Sequence, residues 1–208
     1  QNRVAALFRD QLGYAHLGDW SDRDNSNIEE GLLTAYLTEA GYRAEHISQA
    51  IHKLRTEADH PQRGLYENNQ AVYRLLRYPV QVKAAGDAEH QNVEFINWKQ
   101  PENNHFAIAE EVTLIGNAER RPDIVLYVNG IAIGVIELKR SSVGLGEGIR
   151  QLLSNQAEQF NQWFFSTAQI LFAGNDAQGL HYGTIGTPEK FYLTWKEDES
   201  DNSGYKLD

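Results

Sequence analysis

The stretch Arg121-Pro122-Asp123, thirteen residues, then Glu137-Leu138-Lys139 has residue types and a spacing that could do chemistry. An acid opens one predicted strand, and an acid and a lysine two residues apart close the next. Residues i and i+2 share a face of a strand, so Glu137 and Lys139 point the same way. Leu138 points into the opposite layer, yet its backbone carbonyl can face the site. The Asp123 carboxylate, the Glu137 carboxylate and the Leu138 carbonyl form a hard-oxygen set. Such a set suits Mg²⁺, which binds through one or two carboxylates and keeps several waters. A phosphate ester would supply the missing ligand. Lys139 could orient or deprotonate an attacking water, or offset the charge of the phosphorane. The plainer alternative is a salt-bridged strand end, Asp123 with Lys139 or Glu137 with Arg140. Charges at the ends of apolar strands do need a reason, because burying an unpaired charge is costly.

The elements that must position these residues follow from periodicity. Asp123–Val128 and Ile131–Lys139 are strand-like, rich in Ile and Val on both faces, as central strands are. Asn129-Gly130 between them is the strongest hairpin signal in the chain. The loop type sets a geometric condition. A two-residue loop pairs 128 with 131 and hence 123 with 136, which sends Asp123 and Glu137 to opposite faces. A three-residue loop with Gly130 left-handed pairs 123 with 135 and keeps both acids on one face. The expectation is therefore the three-residue, G1-bulge loop.

Around this hairpin the first third reads helical, with apolar residues at helical spacing from Val4 to Leu12 and again from Ile28 to Ala40. Asn27 with Glu30 has the spacing of a capping box. Further helices run through Ile47–Leu54 and Leu65–Leu76, and Tyr78-Pro79 closes the last. Val80–Ala84, Asn92–Lys99 and Phe106–Ile115 read as strands. After the hairpin, Gly144–Gly148 reads as a flexible connector into a helix whose stripe is Ile149, Leu152, Leu153, Phe160 and Phe164. Ile170–Ala173 and Leu180–Ile185 are further strands, and Thr187-Pro188 starts a short helix. The fold class is α/β: a mixed central β-sheet flanked by helices, with a helical N-terminal section. The expected division is residues 1–78 helical, 79–195 core, and 196–208 an acidic linker.

The 208 residues carry 29 acids against 19 Lys and Arg, a formal net charge of −10. That argues against a free-standing nucleic-acid binder, which usually carries a positive field. The charge is uneven, however. Residues 116–150 carry five basic and four acidic residues, whereas 1–60, 61–115, 151–195 and 196–208 are each net negative. Arg120, Arg121, Arg140 and Arg150 stand around the proposed site and suit phosphate contacts. Cysteine is absent, which excludes disulfides and thiolate metal sites and fits a reducing compartment. No apolar run is long enough for a membrane span. A chain with no methionine that starts at Gln1 is expected to be processed, excised or continued beyond its ends.

The run RRPDIVLYVNGIAIGVIELKRS, Arg120 to Ser141, resembles the nuclease core of the restriction (R, or HsdR) subunits of type I restriction-modification enzymes. LFRDQLGY, NNQAVYRLLRYPVQV, IAEEV, EGIRQLLSNQ and AGNDAQGLHYGTIGTPEKFYLTWKE extend the resemblance from about Val4 to Glu197. It implies a PD-(D/E)xK endonuclease fold, Mg²⁺ and cleavage of double-stranded DNA. It also implies partners: methylation and specificity subunits, and helicase domains of the same chain that bind ATP. Asp123 matches the motif aspartate, and Glu137 and Lys139 match the E-x-K pair. The family has a Q-x-x-x-Y element on the following helix. Gln151 matches its glutamine, but Asn155 stands at the tyrosine position; one helical turn apart, the two could still act jointly on DNA. An N-terminal acid sometimes completes such sites, and Glu29 and Glu30 are the candidates.

Other features point less far. The seven histidines have no metal-ligand spacing. The Gly144–Gly148 stretch lacks the Gly-Lys-Ser/Thr ending of a P-loop, so an ATP site is expected outside this sequence. No G-x-S-x-G element is present. Trp20, Trp98, Trp163 and Trp195 read as core or interdomain packing, not base stacking. The resulting expectation is an Mg²⁺-dependent, cytoplasmic endonuclease module of an R subunit. Its rivals are a stand-alone nuclease of the same fold and a non-catalytic docking module between a motor and its partners.

Overall fold

The computed structural model describes residues 1–116 and 118–196. The expected acidic linker falls, except for Lys196, outside the described residues. In chain order the elements are α1 (Asn2–Asp10), β1 (Ala15–Asp19), α2 (Glu30–Glu39), α3 (Ala44–Ala58), α4 (Leu65–Arg77), β2 (Val80–Val82), β3 (Gln91–Val93), β4 (Phe106–Glu110), β5 (Ile124–Val128), β6 (Ile131–Leu138), α5 (Leu145–Asn155), α6 (Gln162–Phe165), β7 (Ile170–Asn175), β8 (Gly179–Gly183) and β9 (Leu193–Thr194). Seven strands form one mixed sheet in the order β1-β4-β5-β6-β7-β8-β9, while β2 and β3 pair separately. The expected mixed sheet flanked by helices is the observed architecture.

Three apolar layers hold this sheet. Val125, Tyr127, Val135, Leu171 and Ala173 face α5 through Leu145, Ile149 and Leu152. Ile108, Ile124, Ile136 and Phe172 face the other way, toward Ala5 and Phe8 of α1. At the far end of the hairpin, Ile28 and Ile131 join α2, α3, α4, β2 and β3 in a separate cluster. The alternation of Ile124 with Val125 and of Val135 with Ile136 shows why these strands are apolar on both faces. Each face is buried under a helix.

β6 and β7 run parallel, so the chain must cross back between them, and α5 makes that crossover. The Gly144–Gly148 stretch is therefore no flexible connector. Gly146 and Gly148 lie inside the first turn and a half of α5, with Gly144 as its N-cap. The Leu145 amide is capped across the loop by Gln178 Oε1 at 2.7 Å. Gly148 lets the helix approach the sheet: a Cβ there would lie 3.3 Å from Lys139 Cγ and 3.4 Å from the Ala173 methyl.

The N-terminal section is not purely helical, since β1 joins the main sheet beside β4. Its sequence, AHLGD, lacks strand periodicity, and its pairing is made across about ninety residues of chain. The capping box at Asn27 does not form. The N-cap is Glu29, and Asn27 instead donates to the Trp163 carbonyl at 2.9 Å and Ser166 Oγ at 3.1 Å. The helix expected to reach Phe164 stops at Asn155, and a separate turn, α6, carries Phe164. Pro188 precedes a 3₁₀ turn, Glu189–Phe191, rather than opening an α-helix. Trp98 and Trp195 are half-exposed, not core residues.

Candidate active site

The expected three-residue loop is replaced by another solution to the same condition. Val128 pairs with Ile131, so the loop is the two-residue Asn129-Gly130 turn, both residues having positive φ. The ladder then slips by one residue: Tyr127 pairs with Ala132, but Leu126 pairs with Gly134. Ile133 is the extra residue, a β-bulge on β6. Beyond it Ile124 pairs with Ile136, and continuing that register sets Asp123 opposite Glu137. Both acids therefore share the face of Val125 and Val135, beneath α5. Gly134 is the signal that marks the spot, because an isolated glycine inside a strand pattern suggests a bulge.

The three motif residues are held in a connected group. Asp123 Oδ2 accepts the Leu138 amide at 2.6 Å, taking the ladder position that the end of β5 leaves open. A strand residue's N–H and C=O point to the same neighbour, so the Leu138 carbonyl is also turned to the Asp123 side. Lys139 Nζ donates to Glu137 Oε1 at 2.7 Å and to Gln151 Oε1 at 2.5 Å. Gln151 reaches down from α5, so the crossover helix fixes the lysine from above.

Glu137 is only 2% exposed, and its Oε2 has no hydrogen-bond partner. Burial pushes its carboxyl up to about 7. The hydrogen bond from Lys139 opposes this rise, and the nearby Asp123 charge adds to it. Burial also raises the Asp123 carboxyl, against the pull of the Leu138 amide and of Lys139. An unpartnered buried carboxylate oxygen costs about 1–3 kcal/mol or more, so something should satisfy it in the working protein. A divalent cation fits: it would take the free Glu137 oxygen, an Asp123 oxygen and the Leu138 carbonyl. Among the described residues no three His, Cys, Asp or Glu side chains already converge on such a point.

The remaining candidates are placed as follows. Arg121 lies beside the site but is paired with Glu111, Nε to Oε2 at 2.9 Å. The Arg120 guanidinium sits 4.1 Å from the centre of the Phe160 ring. Arg140 is exposed just beyond Lys139. Asn155 is fully buried, with neither side-chain polar atom partnered, so it cannot touch DNA together with Gln151. Glu29 and Glu30 are not in the site. The Glu29 amide donates to the Gly130 carbonyl at 2.8 Å, at the turn end of the hairpin. That is roughly 20 Å from Glu137 along β6. Glu29 pairs with Arg23 and Glu30 with Arg55. Glu111 is the acid that sequence reasoning passed over.

The family of the type I restriction enzyme R protein N terminus matches residues 1–190. The chain belongs to this family. Among its relatives, the type I restriction enzyme HindI endonuclease subunit of Haemophilus influenzae is 26% identical over 150 residues, covering 69% of this chain and 14% of the relative. The putative type I restriction enzyme MjaVIIIP endonuclease subunit of Methanocaldococcus jannaschii is 33% identical over 189 residues, covering 86% and 18%. The EcoprrI endonuclease subunit of Escherichia coli is 25% identical over 121 residues, covering 56% and 39%. The chain thus spans less than a fifth of the first two relatives. Among the described residues no helix is long and apolar enough to cross a membrane.

Proposed function

We propose that this chain is the Mg²⁺-dependent endonuclease module of a type I restriction R subunit, hydrolysing DNA phosphodiester bonds. The observation that carries this reading is the shared face of Asp123, Glu137 and Lys139, with a buried Glu137 oxygen left unpartnered. A divalent cation, when bound, polarises the phosphate and makes a water more acidic. Asp123, Glu137 and the Leu138 carbonyl would hold it. Lys139, fixed between Glu137 and Gln151, orients the attacking water and offsets charge as it builds on the phosphate. A salt-bridged strand end would explain Lys139 with Glu137. It leaves the second Glu137 oxygen without a purpose.

The charge pattern suggests how DNA arrives. Of the segments 1–60, 61–115, 116–150, 151–195 and 196–208, 116–150 alone is net positive, by one charge, within a chain of −10. The module should grip DNA weakly by itself. Delivery falls to an ATP-driven helicase portion of the same polypeptide and to methylation and specificity subunits, in the cytoplasm. The test is DNA cleavage by the full-length R subunit in its complex. Asp123→Ala and Lys139→Ala should each remove cleavage while translocation persists. Cleavage at the wild-type rate in either variant would leave the domain a docking role.

A further inference from the structure

Glu111 stands at the end of β4 in the left-handed region, with φ of 51°, where glycine is favoured and a glutamate is not. Strain of this kind concentrates at functional sites. The register explains its place. Glu110 pairs with Ile124, and Glu111 next to it donates its amide to the Asp123 carbonyl at 3.0 Å. Asp123 in turn lies opposite Glu137 on β6. Three acids thus stand side by side, Glu111 just past the end of β4, Asp123 just before β5, and Glu137 on β6. Ala109, two residues before Glu111, belongs to the layer beneath α5.

Three carboxylates in a row repel, and the structure shows how each is now held. Asp123 takes the Leu138 amide, Glu137 takes Lys139, and Glu111 takes the half-exposed Arg121. Glu111 is tied to the row through its own backbone, since its amide bonds the Asp123 carbonyl. The unpartnered, buried Glu137 oxygen is the independent sign that this row awaits a cation. Resting on the reading of Asp123 and Glu137 as cation ligands, we propose that Glu111 is a third carboxylate of the same site, parked on Arg121 and taken up when a divalent cation binds. Arg121 is then free to meet a DNA phosphate, so cation loading and DNA contact are exchanged at one ion pair.

The test is calorimetric titration of the 208-residue chain with Mn²⁺, with no DNA present. Glu111→Gln should weaken binding by about tenfold or more, at least the cost of losing an outer partner of a metal site. Arg121→Ala should tighten binding, because it releases Glu111, and the gain beyond simple loss of a repelling charge should vanish when Arg121→Ala is combined with Glu111→Gln. Glu111→Gly removes the carboxylate where glycine suits the backbone, so affinity should fall while the thermal midpoint is kept or raised. Wild-type affinity in Glu111→Gln, or unchanged or weaker binding in Arg121→Ala, overturns the role of Glu111 alone. No Mn²⁺ binding by the wild-type chain would instead remove the reading of Asp123 and Glu137.

Discussion

Asp123 and Glu137 face one another across β5 and β6 because one residue, Ile133, is extra on β6. The bulge reconciles two demands that conflict in a regular hairpin. The Asn129-Gly130 turn matches the strand twist best as a two-residue loop. A two-residue loop without a bulge would put the acids on opposite faces. The turn and the bulge are separate devices, and they can be perturbed separately.

The turn should carry stability rather than chemistry. Asn129 is fully buried: its Oδ1 accepts the His105 amide at 2.7 Å, and its Nδ2 donates to the Phe95 carbonyl and Asn104 Oδ1, both at 2.8 Å. Asn129→Ala abandons all three partners and a left-handed position, so a loss of roughly 2–4 kcal/mol is expected in urea unfolding. Gly130→Ala should be at least as harmful, because its Cβ would lie 2.7 Å from the Leu33 amide nitrogen. Mn²⁺ affinity of the folded fraction should stay at the wild-type value in Asn129→Ala. A large fall there would mean that turn and site are one unit.

Lys139 should matter for cleavage and not for holding the cation. Lys139→Met keeps the stem but removes the charge bonded to Glu137 Oε1 and Gln151 Oε1. Loss of one such electrostatic group costs about a hundredfold to a thousandfold in rate. Glu137 then has no other counter-charge bonded to it, so Mn²⁺ binding by the variant should persist or strengthen. Calorimetry on the 208-residue chain and cleavage by the full-length subunit read the two effects apart. Loss of Mn²⁺ binding in Lys139→Met would show that the lysine helps form the site.

How much of this was legible in the sequence depends on what each feature needs. The central strands announce themselves through Ile and Val on both faces, and the acid, acid and lysine through their spacing. β1 did not, because its pairing with β4 is long-range and AHLGD carries no periodicity. The bulge left only Gly134 as a trace. Its close fit is a tertiary fact: a Cβ there would come within 3.0 Å of Leu126 Cδ1. Glu111 was hidden for a similar reason. Its nearness to Asp123 follows from the β4–β5 register, which no spacing along the chain reveals. Glu29 and Glu30 attracted attention because sequence order carries no information about which end of the sheet a helix meets.

The metal-free chain should lose stability as pH rises toward neutrality. Burial raises the Glu137 carboxyl from 4.5 to about 7, with Lys139 opposing the rise and Asp123 adding to it. Between those values the folded state binds the extra proton and the unfolded state does not, so unfolding is increasingly favoured as pH rises. A tenfold difference in proton affinity between the two states corresponds to about 1.4 kcal/mol, which makes the full effect a few kcal/mol. It is absent below pH 4.5 and complete above about 7. Glu137→Gln should flatten this part of the stability profile, and saturating Mn²⁺ should offset it in the wild type, since ions that bind only the folded state stabilise it. A chelator-treated wild type whose urea midpoint rises between pH 5 and 7 would contradict the assignment.

Gly148 should set the position of Lys139 from the other side. A methyl group there would sit 3.3 Å from Lys139 Cγ and 3.4 Å from the Ala173 methyl, so the neighbours must give by a few tenths of an ångström. Two effects on stability oppose each other. Alanine favours a helix interior over glycine by about 1 kcal/mol, and crowding against β6 and β7 takes some of that back. Gly148→Ala should therefore fold with nearly wild-type stability. Its cost should appear in chemistry, because the lysine stem is displaced while its amine must still reach Glu137 and Gln151. A misplacement approaching 1 Å can cost about a hundredfold, so a few tenths should cost roughly tenfold or less in cleavage rate. Gly148→Val puts more bulk against the same stem and should fall further in rate. Full cleavage activity in a folded Gly148→Val protein would mean that the contact between α5 and Lys139 does not position the amine.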